Sequence, residues 1–217
     1  MTRPEDAAQA AALGARYIGV ILAEGPRTLT AAAAQAVFAA VPKGVAGPIA
    51  RVGVFGVTSP EQLAARALEL GLDVVQLHGD PDARTVSAVR SLWSGQVWAV
   101  QRVDGAELPD GVADLFDVAD GVVLDARVAG KLGGTGVALP WEQLRDRVGK
   151  FRGRRARLVL AGGLRPENVA HAVDVLQPDV VDVSSGVEAV AGGVGVKDHD
   201  LMRAFRDAAR GPVVRTR

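Results

Sequence analysis

Two short runs decide the fold: Leu160-Ala161-Gly162-Gly163-Leu164 and Val183-Ser184-Ser185-Gly186-Val187-Glu188. Aliphatic residues precede each run, at 157–160 and 180–183, and a helical pattern follows, so both runs are predicted to lie at the ends of strands. Glycine and serine at such turns leave backbone N–H groups free to bind an anion. Either turn alone could be an ordinary helix start without a ligand, but two in consecutive strand–helix units predict a phosphate site.

Aliphatic runs of strand length alternate with helical patterns along the whole chain. Strands that are apolar throughout are typical of a parallel sheet covered on both faces, and strict alternation with helices favours a barrel over an open sheet. The predicted strands cover residues 17–22, 51–55, 73–77, 97–102, 121–124, 157–160 and 180–183, and the predicted helices cover 4–13, 30–40, 59–70, 81–92, 112–116, 140–148, 166–175 and 198–209.

The strand count is informative because the phosphate site of an eight-stranded barrel is usually built by the loops after strands seven and eight. If the strands at 157–160 and 180–183 are the seventh and eighth, six strands should precede them. Only five are predicted, and the chain begins with a helix. We therefore expect an α/β fold, a (β/α)8 TIM barrel whose first strand is absent from residues 1–217. The chain should form a single domain.

Composition excludes several classes of function. Of 217 residues 48% are apolar and 23% charged, with 25 basic and 25 acidic side chains, which argues against disorder and against nucleic acid as a partner. The chain has no cysteine and three histidines, so we expect no metal site. No apolar run reaches the roughly 20 residues that span a bilayer, and the first residues lack a signal sequence. We expect a cytoplasmic protein that does not bind membranes.

Several motifs together resemble one family. They are, in chain order, Gln76-Leu77-His78-Gly79, Leu124-Asp125, Gly133-Gly134-Thr135-Gly136, the run at 160–164 with 166–169, and the run at 182–188 with Lys197-Asp198. In the order and spacing of these motifs the chain resembles phosphoribosylanthranilate isomerases. The resemblance implies an isomerase of tryptophan biosynthesis that acts without a cofactor, as a monomer or homodimer. Its substrate would be the phosphorylated small molecule N-(5'-phosphoribosyl)anthranilate, and its product 1-(2-carboxyphenylamino)-1-deoxyribulose 5-phosphate.

The resemblance also implies roles for individual residues. Asp125 matches the general acid that opens the ribose ring, which requires a pKa above the free value of about 3.9; its alternative role is to cap the next loop. Asp182 is predicted to be an inward carboxylate that orients the substrate. Arg27 matches the arginine that binds the anthranilate carboxylate. A structural role is the better explanation of His78 at a strand end, but His78 is also a substrate-binding candidate. The substrate-binding candidates are Arg27, His78, Gly134, Gly162, Gly163, Ser185 and Gly186.

The chain departs from the family pattern at its start. The family's first strand ends in Lys-Ile-Cys-Gly-Met-Thr, and the resemblance implies that this cysteine is the general base. Here Met1-Thr2 matches the end of that motif, and the sequence contains no cysteine. One interpretation is a protein whose true start lies upstream. The other is a shortened, catalytically impaired barrel, in which residues 212–216 could fill the vacant strand position.

Two other functions remain open from the sequence. Another sugar-phosphate barrel enzyme would share the phosphate turns but would not need Arg27 together with Asp125. A protein that only binds a sugar phosphate would use Gly163 and Ser185 without turnover.

Overall fold

The computed structural model describes residues 1–41, 49–126 and 138–211 of the chain. The predictions for Gly134, for the run at 133–136 and for a strand at 212–216 lie outside these residues. Strands and helices alternate, beginning with a helix. The elements are α1 Pro4–Ala12, β1 Tyr17–Ile21, α2 Ala31–Ala39, β2 Ala50–Phe55, α3 Pro60–Leu70, β3 Val74–Leu77, α4 Ala83–Leu92, β4 Gln96–Val103, α5 Val112–Val118, β5 Gly121–Ala126, α6 Trp141–Gly149, β6 Arg157–Leu160, α7 Val169–Leu176, β7 Val180–Val181, a 3₁₀ turn Ser185–Val187, and α8 His199–Arg210.

Local sequence signals place several helix ends. The Ser59 side chain accepts a hydrogen bond of 3.2 Å from the Gln62 backbone N–H, and Pro60 occupies the first turn of α3. Gly71 ends α3 in the left-handed conformation, with φ of 58°. Asp198 caps α8 by accepting from the backbone N–H groups of Asp200 and Leu201. These caps satisfy backbone groups that a helix cannot pair internally.

The seven strands that the described residues form make one parallel sheet in sequence order, β1 to β7. Side chains from distant strands meet on one face of the sheet, which shows that the sheet is curled. The rings of Tyr17 on β1 and Trp98 on β4 are 4.7 Å apart on this inner face. Arg157 on β6 donates a 2.6 Å hydrogen bond to the Tyr17 hydroxyl. The inner face is filled by Val52, Val74, Trp98, Val100, Val123, Val159 and Ala161. The alternation and strand number predicted from the sequence are confirmed.

The outer edges of β1 and β7 have no strand partner among the described residues. Two side-chain contacts bridge this opening in the curled sheet. Arg157 and Tyr17 connect its two sides at the amino ends of the strands, and Arg27 and Glu188 connect them beyond the carboxyl ends.

Many element boundaries differ from the prediction by one or two residues, and three differences affect the candidate site. Strand β5 continues to Ala126 because its pairing with β4 extends that far, so Asp125 lies within the strand rather than after it. Strand β7 ends at Val181, so Asp182 follows the strand instead of lying in it. Helix α7 begins at Val169 rather than at residue 166, because the Asn168 side chain holds the preceding residues in a turn.

Candidate active site

A cavity of about 1720 Å³ lies at the carboxyl ends of the strands and extends between β1 and β7. All described residues that the sequence singled out for the site line this cavity. They are Arg27, His78, Asp125, Gly162, Gly163, Asp182, Ser185 and Gly186. The structure therefore brings together loops that follow β1, β3, β6 and β7.

The two carboxylates face the cavity because of strand periodicity. Asp125 is two residues beyond Val123, and Asp182 two beyond Val180, and both valines belong to the inner face. Asp125 is buried, whereas the side chain of Asp182 is exposed to the cavity. Burial, reinforced by the negative charge of Asp182, raises the pKa of Asp125 from 3.8 to about 6. The upward shift predicted for Asp125 agrees with its surroundings in the structure.

Residue 162 must be glycine, because its backbone lies close to the side chain of Asp125. Its φ is 79°, and a Cβ atom there would lie 2.4 Å from Asp125 Oδ1 and 2.5 Å from the Ala126 nitrogen. A side chain at this position would displace either the carboxylate or the strand that carries it. The absence of a Cβ atom at residue 162 thus lets the first glycine run lie directly against the candidate acid.

The turn at 160–164 and the turn at 183–188 pack against each other at the cavity. Asn168 Nδ2 donates to the Gly163 carbonyl at 2.9 Å, and Asn168 Oδ1 accepts from the Arg165 N–H at 2.8 Å, which fixes the first run. The second run packs against it, since a Cβ atom on Gly186 would lie 1.9 Å from the Leu164 carbonyl oxygen. Among described residues nothing accepts a hydrogen bond from the backbone N–H groups of Gly163, Ser185 or Gly186.

Arg27 is held by an ion pair that the sequence did not predict. Its Nε and Nη2 atoms donate to Glu188 Oε1 and Oε2, each at 2.8 Å. Lys197 Nζ donates to Glu188 Oε1 at 3.1 Å and to the Ser184 carbonyl at 2.8 Å. Burial opposes ionisation of Glu188, but hydrogen bonds from Arg27 and the charge of Lys197 lower its pKa to about 2.

His78 and Arg102 complete the wall near Asp125. Burial, and then the charge of Arg102, lower the pKa of His78, which favours a neutral imidazole. His78 Nδ1 is buried and has no hydrogen-bond partner in the part of the chain that the structure describes. Arg102 pairs with Asp80, with 2.7 Å between Arg102 Nε and Asp80 Oδ2.

Sequence reasoning missed Arg102, although a signal for it existed. Arg102 lies beside Asp125 in the register of β4 and β5, and it follows Val100 on the inner face by two residues. Parallel neighbours in register point their side chains to the same face. Combining the strand prediction with this rule would have placed Arg102 at the site. Glu188 and Lys197 appeared in the family motifs but were given no role.

The described residues contain no group of three histidine, aspartate, glutamate or cysteine side chains that could hold a metal ion. In the same part of the chain, no helix has the length and apolar character needed to cross a bilayer.

Comparisons with known proteins identify one family. The family model described as N-(5'phosphoribosyl)anthranilate (PRA) isomerase matches residues 1–208. An N-(5'-phosphoribosyl)anthranilate isomerase of Pseudomonas fluorescens strain Pf0-1 is 38% identical over 211 residues, which are 97% of this chain and 95% of the relative. The phosphoribosyl anthranilate isomerase structure from Thermus thermophilus is 32% identical, with a TM-score of 0.79, over 97% of this chain and 95% of that one.

A further solved structure carries a ligand. It is a phosphoribosyl anthranilate isomerase in complex with reduced 1-(o-carboxyphenylamino)-1-deoxyribulose 5-phosphate. It is 29% identical to this chain, with a TM-score of 0.79, and the match covers 98% of this chain and 96% of that one.

Proposed function

Because this chain belongs to the family of N-(5'-phosphoribosyl)anthranilate isomerases, we propose that it converts N-(5'-phosphoribosyl)anthranilate to 1-(2-carboxyphenylamino)-1-deoxyribulose 5-phosphate, a step of tryptophan biosynthesis. One observation carries the proposal. A single cavity contains the three groups that this substrate needs: free backbone N–H groups for a phosphate, an arginine for a carboxylate, and a buried carboxyl group for proton transfer.

Asp125 is assigned the role of general acid. Ring opening requires a proton on the ribose ring oxygen as the bond to C1' breaks, and a general acid is most effective when its pKa is near the working pH. With a pKa of about 6, Asp125 is protonated in about one molecule in ten at pH 7. An exposed aspartate would be protonated in fewer than about one in a thousand. Burial of Asp125 therefore supplies the acid that the reaction needs.

The binding groups are assigned from their charge, their hydrogen-bond donors and their position in the cavity. Gly163, Ser185 and Gly186 would hold the phosphate through their backbone N–H groups, with Gly162 placing this turn against Asp125. Arg27 would bind the anthranilate carboxylate, since a guanidinium group matches a carboxylate with two parallel hydrogen bonds. His78 would contact the substrate near Asp125 as a neutral imidazole.

Asp182 is assigned an orienting role, because it faces the cavity and its charge acts on Asp125. The proton on C2' must pass to a base before the enolamine forms. Since the chain contains no cysteine, the proposal gives residues 1–217 the acid and the binding groups and assigns no thiolate base.

The lack of a cysteine favours a second candidate function, a barrel that binds the sugar phosphate without turnover. In both cases we infer that residues 1–217 act as one domain on a small phosphorylated molecule. The biosynthetic family supports a cytoplasmic location and a monomer or homodimer. The balanced charge makes nucleic acid an unsuitable partner.

Turnover separates the two functions. Formation of the ribulose product from N-(5'-phosphoribosyl)anthranilate, measured by chromatography, would show that a group other than a thiolate accepts the C2' proton and would support the isomerase. Asp125→Asn should lower kcat by about 100-fold or more, the usual contribution of a positioned acid, whereas the exposed control Asp146→Asn should be unchanged. Binding of substrate without product would favour the binding function, and unchanged kcat in Asp125→Asn would remove Asp125 from the mechanism.

A further inference from the structure

Arg27 uses only one edge of its guanidinium group to bind Glu188. The pair takes one hydrogen from Nε and one from Nη2, each over 2.8 Å. Arginine has five N–H donors, so two on Nη1 and one on Nη2 remain. In the described part of the chain, Nη1 has no acceptor, and Arg27 lines the cavity. The edge formed by Nη1 and Nη2 can therefore bind a second carboxylate with two hydrogen bonds.

Glu188 itself is fixed in place by Lys197. Lys197 Nζ is 3.1 Å from Glu188 Oε1, and the backbones of the two residues form an antiparallel bridge. Their side chains are 4% exposed for Lys197 and 13% exposed for Glu188. Rotation of Glu188 away from this position would leave a buried ammonium group unpaired, which is strongly unfavourable. Glu188 is thus a rigid support for Arg27.

Lys197 connects this support to the proposed phosphate turn after β7. Its Nζ donates to the carbonyl of Ser184, the residue directly before Ser185, at 2.8 Å. Its backbone N–H donates to the buried Asp6 at 3.1 Å. Lys197 is therefore held by hydrogen bonds from both its backbone N–H and its side-chain ammonium group. One continuous set of contacts runs from the loop after β1, through Glu188 and Lys197, to the turn after β7.

We propose that Glu188 and Lys197 are positioning residues that hold the free Nη1–Nη2 edge of Arg27 toward the carboxylate of the substrate's aromatic ring. This inference rests on the proposed function, in which Arg27 binds that carboxylate. It adds that the distance between the phosphate and carboxylate sites is set by the Glu188–Lys197 pair. Ligands with a carboxylate at the right distance from the phosphate are selected in this way.

Calorimetric titration with two ligands tests the proposal without requiring turnover. One is the reduced product 1-(o-carboxyphenylamino)-1-deoxyribulose 5-phosphate, and the other is the same molecule without its ring carboxyl group. The unmodified chain should prefer the carboxylated ligand. Glu188→Ala and Lys197→Met should each reduce this preference about tenfold, the value of one charge-assisted hydrogen bond. Glu188→Ala should leave the affinity for the second ligand unchanged, because Glu188 does not contact the phosphate turn through its side chain. Glu188→Gln should give an intermediate preference, because its amide oxygen still accepts from Arg27.

The matched control is Glu107→Gln, which alters an exposed ion pair with Arg147 outside the cavity and should leave both affinities unchanged. An equal loss of affinity for both ligands in Glu188→Ala would indicate a purely structural role and overturn the proposal. Unchanged preference in both Glu188→Ala and Lys197→Met would overturn it as well. Equal binding of the two ligands by the unmodified chain would overturn it while leaving the isomerase proposal intact, whereas binding of neither would contradict both.

Discussion

Asp125 is a carboxyl group whose ionisation is unfavourable in the folded protein. Its folded pKa is about 6, above the value of 3.8 expected in an unfolded chain, because of burial and then the charge of Asp182. The folded state therefore loses stability relative to the unfolded state as pH rises from about 4 to about 6. The loss is complete above about pH 6, where Asp125 is ionised in both states.

This loss predicts that removing the charge stabilises the protein at high pH. Asp125→Asn should be more stable than the unmodified chain at pH 8 by up to about 3 kcal/mol, which corresponds to a shift of roughly two pKa units. The gain should fall below about 1 kcal/mol near pH 4, where the side chain is protonated in the folded state and only about half ionised in the unfolded state. Urea unfolding at pH 4 and pH 8 measures both values.

The exposed substitution Asp146→Asn is the control, and it should change stability by no more than about 0.5 kcal/mol at either pH. A stability gain in Asp125→Asn that is equal at both pH values would show that burial does not raise the pKa of Asp125.

At the scale of single residues, the sequence was enough to predict candidate site residues that lie in a recognisable motif or at the end of a strand. Asp125 was recognisable because it follows an aliphatic run, and Arg27 because it resembles a family arginine. The pairing of Arg27 with Glu188 was not recognisable, because 161 positions separate the two residues and no local pattern connects them. Arg102 was missed for a similar reason, since its importance depends on register with the neighbouring strand.

The turns after β6 and β7 act as one element rather than two. The Gly186 backbone lies so close to the Leu164 carbonyl that a Cβ atom would be 1.9 Å from that oxygen. The contact is backbone against backbone, so a flexible side chain cannot relieve it. The spacing of the two turns, and with it the geometry of the proposed phosphate site, depends on glycine at this position.

Gly186→Ala should therefore push the two turns apart. We expect a loss of about 1–3 kcal/mol in the free energy of unfolding, the usual cost of overpacking. Affinity for the reduced product should also fall, because the N–H groups of Gly163 and Ser185 would no longer converge. Chemical unfolding and calorimetric titration give the two values.

Gly149→Ala provides the control, since nothing lies within 4 Å of its Cβ position at the end of α6. It should be neutral or stabilising by less than about 1 kcal/mol. Equal effects of the two substitutions would mean that the turns do not depend on each other's position.

Elements were predictable wherever periodicity and caps agree, as in α3, where Ser59 and Gly71 mark the two ends. Two of the boundaries that differ have different causes. Strand β5 gains Asp125 and Ala126 through pairing with β4, a tertiary contact that leaves no local signal in the sequence. The start of α7 is delayed by local bonds of Asn168 to Arg165 and Gly163, which compete with the helix for the backbone.

At the scale of the molecule, the parallel order β1 to β7 followed from the alternation of strands and helices. The contacts that bridge the opening between β1 and β7 did not follow from it. Arg157 with Tyr17, and Arg27 with Glu188, join the first and last strand regions of the sheet. The second pair places the loop after β1 beside the turn after β7, so the proposed phosphate and carboxylate sites lie in one cavity.

The most direct test of this arrangement is a crystal structure of the chain with reduced 1-(o-carboxyphenylamino)-1-deoxyribulose 5-phosphate. We predict that the phosphate oxygens lie about 3 Å from the backbone nitrogens of Gly163 and Ser185. The ribulose chain should lie against Asp125, and the ring carboxylate should bind the Nη1–Nη2 edge of Arg27. A phosphate bound elsewhere, such as beside Arg157 at the amino ends of the strands, would contradict the central claim that these loops form one isomerase site.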